Sequence, residues 1–472
     1  MKRVNSILLV LLLTVLLLLG VVLFAILTPT GQDYLTSQLN KYLKKKLNTR
    51  IEVGHIRLQW PKELGIGDVY VEDLQGDTLL AAEKLQVGLN MWGLLRGKIA
   101  IDRVEVEGVR GKVYRKAPEK DFNYQFIVDA FASSDTTSGS GDPLDMSWDN
   151  LLIKKVHLTY YDDAAGIDTD LTVPEAAVVF SAFNPSYSRY HPTDISLSGT
   201  SLSLRLFKPV DLGIPEEIAS TGSDTLDLKL GRIDFREIAV RYTDEESGML
   251  TDVQLPKLLA QMDHVYLDGQ RVGVKELEIA DSKVLVAFEP RAQVVEDPAQ
   301  VSEDTVSGGW QVTLGSLKLA GNEVVYDDNN VKAAARGLDY SHIHLSGLSG
   351  QLDGFIYSPD STAGKLVSLQ LDEKSGLKVE EASFDFAYTS RQAFVDNLLL
   401  KTPHTRLGDK VILAYDNIDQ LTQNLGKVKV DIALSNSRLG FRDLLILVPD
   451  LAETPPFDTK PTGYVEGNAR LS

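Results

Sequence analysis

The chain contains no cysteine. That excludes disulfides and thiolate metal sites, and it is compatible with any redox compartment. The compact catalytic signatures are absent too: there is no G-x-S-x-G, no H-E-x-x-H and no P-loop. The sequence therefore predicts no enzyme. Positive charge is scarce, with 48 Lys and Arg against 66 Asp and Glu, a formal net charge of −18. Residues 1–50 carry a net +6, so the rest carries −24. Phosphate binding needs a basic face, so nucleic acid is not an expected partner. An acidic surface of this kind favours solubility. Helical periodicity is sparse as well, confined to residues 31–47, Pro256–Gln261 and Asp443–Leu447.

What is present begins with an uncharged run, Ile7–Leu27, "ILLVLLLTVLLLLGVVLFAIL". A run of that length is enough to span a bilayer as a helix. It is long for a signal peptide, and "TPTGQDY" after it offers no A-x-A site, so residues 1–28 are expected to be an uncleaved transmembrane signal-anchor rather than a removed leader. Lys2 and Arg3 favour a cytoplasmic N-terminus. Lys41, Lys44, Lys45, Lys46 and Arg50 follow the run and oppose that orientation, unless they lie against anionic headgroups on the far side. Residues 29–50 predict a juxtamembrane amphipathic helix with Leu35, Leu39, Leu43 and Leu47 on one stripe, and Thr30 with Asp33 resembles a capping box. Two roles stay open for it, and they are not exclusive: lying on the bilayer and covering an open sheet edge.

From Ile51 onward the dominant period is two. Leu85, Val87, Leu89 and Met91 share one parity; Ile99 and Ile101, then Val104 and Val106, alternate with a slip between them, as do Val312 and Leu314, then Leu317 and Leu319. Such slips predict bulges or bends. Three segments repeat: "LLIKKVHLTYYDD" at Leu151, "IDFREIAVRYTDE" at Ile233 and "LKLAGNEVVYDDN" at Leu317. With Tyr160, Tyr242 and Tyr326 superposed, Leu151, Ile233 and Leu317 stand nine residues earlier, and Ile153, Phe235 and Leu319 seven earlier. Leu158, Val240 and Val324 stand two earlier, and Asp162, Asp244 and Asp328 two later. Pro174 and Pro256 follow the first two tyrosines at fourteen residues; the third unit lacks this proline, and its "SHIHLSG" (341–347) echoes "DHVYLDG" (263–269). Linkers rich in Ser, Thr, Gly and acid precede each unit. The expected order is a β region at 51–131, repeat units at 148–225, 226–308 and 309–392, and further β rungs at 393–472. Repetition at a fixed period points to stacked units forming one long sheet; the alternative is separate β-sandwiches.

Few residues invite chemistry. His342 and His344 share a strand face but have no companion ligands. Asp162–Asp163, Asp327–Asp328 and Asp244–Glu246 lack the spacing of a calcium loop and read as solvated turns, with the tyrosines near strand ends.

The stretch Tyr42 to Arg115 resembles the N-terminal region of TamB-type proteins within the AsmA-like superfamily. The resemblance rests on an ordered set: the N-terminal span and short helix; "G-x-I-x-L-x-W" at Gly54, Ile56, Leu58 and Trp60; "VYVEDLQGDTLLAAEKLQVGLN"; and "LLRGKIAIDRVEVEGV" with a turn at Gly97. Beyond about residue 115 only the β-rich character matches. The resemblance implies a mainly β protein, an elongated repetitive sheet folded as a U-shaped hydrophobic groove. It implies a single-pass anchor in the inner membrane, with the bulk of the chain in the periplasm and phospholipid carried toward the outer membrane. It implies no cofactor. Its implied partners are phospholipid acyl chains, the inner membrane and an outer-membrane barrel of the TamA/BamA type. An assembly factor for outer-membrane or secreted proteins is the alternative. The resemblance also implies a C-terminal domain that meets the outer membrane, which "PTGYVEGNARLS" does not supply, so a fragment or a short member is expected. The candidate groove-lining residues are Leu85, Val87, Leu89, Val104, Val106, Ile153, Leu158, Phe235, Val240, Leu319 and Val324. In a closed sandwich the same residues would pack as a tight core, and alternation alone does not separate the two.

Overall fold

Alternation becomes strand throughout the computed structural model, which describes residues 28–59, 63–89, 99–131, 146–184, 188–213, 226–290, 309–415, 429–455 and 462–471. The expected anchor, Ile7–Leu27, lies outside these residues. Among the described residues no helix is long and apolar enough to cross a membrane. The chain is mainly β and divides into two compact units, residues 1–192 with 208–224, and residues 193–207 with 225–472.

Unit one contains α1 (Pro29–Leu47), β1 (Ile51–Gln59), β2 (Glu63–Glu72), β3 (Thr78–Leu89), β4 (Ile99–Glu107), β5 (Arg110–Arg115), α2 (Gln125–Phe131), β6 (Met146–Asp162) and β7 (Ile167–Asn184). Then come β8 (Arg189–Ser198), of which unit two holds the last six residues, β9 (Ser201–Leu206), β10 (Asp227–Leu228), β11 (Arg232–Asp244), β12 (Met249–Tyr266), β13 (Arg271–Ala280), β14 (Lys283–Phe288) and β15 (Gln311–Asp328). Unit two continues with β16 (His342–Ser358), β17 (Ser361–Glu373), β18 (Lys378–Val379), β19 (Glu381–Thr389), β20 (Gln392–Lys401), β21 (Arg406–Ala414), β22 (Lys429–Gly440), α3 (Phe441–Leu447) and β23 (Tyr464–Leu471). Pro256–Gln261 is therefore not a helix but the interior of β12. The helix expected at Asp443 starts two residues earlier.

The three repeat strands share a structural role. β6 runs parallel to β4 and β5, β11 parallel to β8 and β9, and β15 parallel to β13 and β14. β16 to β23 pair antiparallel in succession. Parallel neighbours require a crossover. The polar linkers of the sequence fall within these crossovers, between β5 and β6, β9 and β11, and β14 and β15.

Strands in both units also break their alternation at one aligned place. In unit one the facing residues are Gly54, Asp68, Glu83, Gly108, Lys155 and Pro174. In unit two they are Gly199, Glu237, Pro256, Asp281 and Gly321. Asp68, Gly108 and Lys155 have φ of 52°, 65° and 52°; Gly199, Glu237, Asp281 and Gly321 have φ of 66°, 52°, 55° and 66°. A residue at positive φ bends a strand and interrupts its ladder. The apolar parity changes there: Leu151 and Ile153 give way to Val156 and Leu158, and Ile233 and Phe235 to Ile238 and Val240.

The same two hydrogen bonds close the break at each parallel junction. Gly108, Gly199 and Asp281 donate their N–H to Lys154, Arg236 and Ala320 at 3.0, 2.9 and 2.8 Å. His157, Ala239 and Glu323 donate to Val109, Thr200 and Ser282 at 2.8, 2.9 and 2.8 Å. The residue after each break is buried: Val109, Val156, Thr200, Ile238, Ser282 and Asn322. Pro174 and Pro256 face Lys155 and Glu237, where the interrupted ladder asks for no N–H. The third unit has a longer connection, residues 329–341, and places Ser349 in that slot, its hydroxyl accepting from Gly321 N–H at 2.9 Å. The echo between "SHIHLSG" and "DHVYLDG" is not structural, because the first starts β16 and the second ends β12.

The expected slip between Ile101 and Val104 is a real shift in the β3–β4 register. The slip between Leu314 and Leu317 leaves the pairing of β15 with β13 and β16 unshifted; the neighbouring shift lies between β12 and β13.

Helix α1 covers the edge of β1. Its N-cap is Thr28 with Pro29 at the first turn, not Thr30, and the Thr28 hydroxyl accepts from Gly31 N–H at 3.3 Å. Only the C-terminal half of the leucine stripe is used: Leu47 is buried with Ile51, Val71 and Leu79, Leu43 packs beside them, and Leu35 is exposed. The N-terminal half is polar. Asn40 both donates to Val53 O and accepts from Val53 N–H at 2.8 Å, Thr36 accepts from Ile56 N–H at 3.1 Å, and Gln32 donates to Leu58 O at 2.9 Å. These side chains take the place of a neighbouring strand. Of the two roles expected for this helix, edge cover is observed, made by one face of the helix alone.

Left-handed backbone costs a non-glycine residue about 1–2 kcal/mol, and Glu237 is exposed. Glu237 already bears that cost, so Glu237→Gly is expected to cost nothing or stabilise. Glu237→Val adds β-branching at positive φ and is expected to lower stability further, by about 1 kcal/mol. Equal melting shifts for the two variants would refute a backbone origin for the break.

Candidate functional site

Cross-strand pairing turns the alternating residues into rows. In unit one, Ile56, Ile66, Leu85, Val106, Ile153 and Ala176 face one another in succession, and Leu58, Leu64, Val87, Val104, Leu151 and Val178 form the adjacent row. In unit two one row runs Leu197, Phe235, Leu258, Ile279 and Leu319. Beyond the break a second runs Leu202, Val240, Val253, Val284 and Val324. Directly opposed side chains lie about 4.5–5.5 Å apart at Cβ, so each row is a continuous apolar strip.

The structure thus brings Leu85, Val106 and Ile153 into one row and Val87 with Val104 into the next. It joins Phe235 to Leu319 and Val240 to Val324 through intervening strands. These residues are all half-buried. Leu158 is exposed, and its Cδ2 lies over Gly111, where a Cβ would sit 2.8 Å away. Leu89 pairs with Ile101 through its backbone, and its side chain lies outside the described residues.

The intervening parity is charged. In unit one Lys84, Glu107, Lys154 and Glu175 face one another with alternating sign, and Lys155 adds a 2.8 Å ion pair to Glu107. In unit two Asp234 pairs with Arg236 at 2.6 Å and Arg241 with Asp252 at 2.8 Å. The hydrogen bonds and charge of these partners hold the carboxyls of Glu107 and Asp234 below the usual carboxylate range. Such a face is built for water, and the apolar parity is not.

In unit two little covers the apolar parity, whereas unit one buries a cluster of Leu47, Ile51, Val71 and Leu79. In unit two the fully buried apolar residues among those described are Ile238, Ala260, Val265, Ala287, Ala382 and Tyr415, with no Leu or Phe among them. A two-layer domain buries one face of its sheet against a second layer, and side chains of that size dominate such interiors. Sequence reasoning had no means to see this, because half-burial depends on what lies above the sheet rather than on the strand's own pattern.

The tyrosine–acid repeat is structural. Asp162, Asp244 and Asp328 end β6, β11 and β15, and each accepts the N–H two residues on, from Ala164, Glu246 and Asn330 at 3.0, 2.9 and 3.1 Å. The first is not a solvated turn residue. Asp162 is 1% exposed and takes two bonds from Arg115, at 2.8 and 2.6 Å, and one from Tyr160 at 3.1 Å. Burial pushes its carboxyl up, but the bonds from Arg115 and Tyr160 outweigh this and hold it below the usual range. Burial and a bond to the equally buried Asp73 push the Tyr114 hydroxyl up to about 12. His342 and His344 are occupied separately, by Asp327 with Val331 O, and by Glu323. Among the described residues no group of histidines and acids is arranged to hold a metal ion.

Breaking a buried ion pair costs about 3–5 kcal/mol, and Asp162→Asn should lower the stability of the protein at pH 7 by that order. An unfolded aspartate binds its proton near pH 3.9, whereas native Asp162 resists until lower pH. The pair's contribution is therefore full above that value and is lost as pH falls through the lower native one. Denaturant titrations should show the Asn variant's deficit constant from pH 7 to about pH 4 and shrinking below it. An unchanged deficit would mean that packing, not charge, anchors the site.

A family model for the AsmA family matches residues 1–266. No curated protein and no solved structure gives a significant match.

Proposed function

The chain belongs to the AsmA family, and from that membership and its uncovered apolar rows we propose that it is a carrier of phospholipid acyl chains, anchored in the inner membrane with its bulk in the periplasm, passing lipid toward the outer membrane. The observation that carries this reading is the set of apolar rows, in register across neighbouring strands and half-buried at every member but the small Ala176. An acyl chain gains about 0.8 kcal/mol for each CH₂ that it buries, so it leaves a bilayer only where another apolar surface accepts it. Rows such as Leu85–Val106–Ile153 and Phe235–Leu258–Ile279–Leu319 supply that surface. The charged parity faces water and keeps the loaded protein in solution. The U-shaped groove belongs to the same proposal, with the rows as its lining. The reading requires no catalytic residue and no cofactor. An outer-membrane barrel of the TamA/BamA type is its proposed recipient.

The test is native mass spectrometry with lipid extraction on the whole chain, recovered from a bacterial envelope. Stoichiometric phospholipid is expected, reduced several-fold in Val240→Asp, which sets a charge in the Leu202–Val253 row. Circular dichroism would check that the variant keeps its strand content. A folded protein that holds no lipid defeats the carrier reading and favours assembly of outer-membrane proteins through direct contacts.

A further inference from the structure

Helix α1 has two used faces and one unused. Gln32, Thr36, Asn40, Leu43 and Leu47 are spent on the sheet. On the flanks, Asp33 pairs with Arg57 at 2.7 Å and Lys46 lies over the rings of Tyr42 and Phe131 at 5.7 and 4.7 Å. At 100° per residue, Tyr34, Leu35, Gln38, Lys41, Tyr42 and Lys45 form the opposite stripe. Tyr34, Leu35 and Tyr42 are 64%, 46% and 53% exposed. Lys41 and Lys45 have no ion-pair partner among the described residues. Helix α1 also begins directly after the apolar run, since its N-cap Thr28 follows Leu27.

We propose that this stripe docks on the headgroup layer of an anionic phospholipid bilayer. Tyrosine rings favour the headgroup level, where one end is apolar and the other wet. Lysines near an anionic surface each strengthen attachment by roughly fivefold. Charge selects the partner. Residues 28–50, which follow the apolar run, carry a net +4, while residues 51–472 carry −24, so an anionic bilayer attracts this end and repels the rest. The opposite face of the same helix holds β1 by the backbone of Val53, Ile56 and Leu58. Docking therefore sets Ile56 and Leu58, the first members of both unit-one rows, ~10 Å, one helix diameter, above the headgroups. The inference deepens the carrier reading by placing the start of its path at the membrane surface, but docking itself does not require carriage.

The absence of native cysteine permits a single spin label at Gln38→Cys in the whole chain, reconstituted in vesicles of phosphatidylcholine alone or with about a third phosphatidylglycerol. Collision with a nickel chelate on the headgroups, against a soluble one, reads the label's position. A label at Asp77→Cys, in the β2–β3 turn, is the solvent control. Headgroup contact at position 38 is expected in the anionic vesicles, falling roughly tenfold or more in Lys41→Glu/Lys45→Glu and in phosphatidylcholine alone. Equal water access at position 38 in both vesicles overturns the proposal, and so does contact that survives charge reversal. Both lysines are exposed, and an unchanged melting curve would confirm that the variant is folded. Lipid extracted from the same sample separates the two readings: docking without bound lipid defeats carriage alone, and bound lipid without docking defeats this inference alone.

Discussion

The constraint on which the strands of both units depend is the aligned break in alternation. A strand carrying one residue at positive φ loses ladder bonds there. Its parallel neighbour carries one at the facing position, whereas the antiparallel neighbours of Lys155 and Glu237 place Pro174 and Pro256 there. Gly108 with Lys155, Gly199 with Glu237, and Asp281 with Gly321 are the parallel pairs, and the same two backbone bonds close each of them. The residue that follows is then buried on both strands. The interior of these units is concentrated along the break as much as across the faces. This is why small or polar residues such as Thr200, Ser282 and Asn322 are buried while Phe235 and Leu319 stay half-buried. Asn322 shows how a polar residue is tolerated there: its side chain bonds Ser282 N–H and Oγ and the carbonyls of Ile279 and Leu348.

Part of this is readable from the sequence. Period two predicts strand nearly everywhere, and the repeat places equivalent strands correctly. The offsets from the tyrosines even contain the break, since apolar residues stand nine and seven before but also two before, which no unbroken alternation allows. Recognising it as a break shared by neighbours needs the pairing, and one strand's sequence does not name its partner. The parallel direction is hidden for the same reason, although the linkers are long enough to mark the crossovers. Proline at Pro256 reads as a helix start when taken alone. Facing Glu237 in an interrupted ladder, it is an ordinary strand residue.

Other differences also trace to a cross-strand neighbour. Asp162, Asp244 and Asp328 occupy one position of the repeat and make the same turn bond. Their parallel partners are Arg115, Leu206 and Phe288. Only the first supplies a guanidinium, so only there does the aspartate become the buried half of an ion pair. In α1 the amphipathic template looks for apolar residues and finds the leucines. It overlooks Gln32, Thr36 and Asn40, whose spacing of four places three hydrogen-bonding side chains on one helix face. An edge strand needs donors and acceptors, not methyl groups, so the informative stripe was polar.

Edge and face are the two liabilities of a single sheet, and unit one treats them differently. Exposed backbone at β1 would template pairing with another chain, and α1 removes that risk with side chains that imitate a strand. Exposed apolar rows would drive association just as strongly, yet the unit-one rows, apart from Ala176, stay half-buried, while α2 and α1 pack over the neighbouring Ile51, Val71 and Leu79. A sequence that can close an edge with three polar side chains has the means to fill its apolar rows with charge, as it does on the opposite parity at Lys84, Glu107, Lys154 and Glu175. On the carrier reading proposed above, the rows stay apolar because a hydrophobic occupant covers them. A lipid tail fills that role without a specific partner surface, because rows of Leu, Ile, Val and Phe offer no hydrogen bonds to satisfy and accept any alkyl chain along their length.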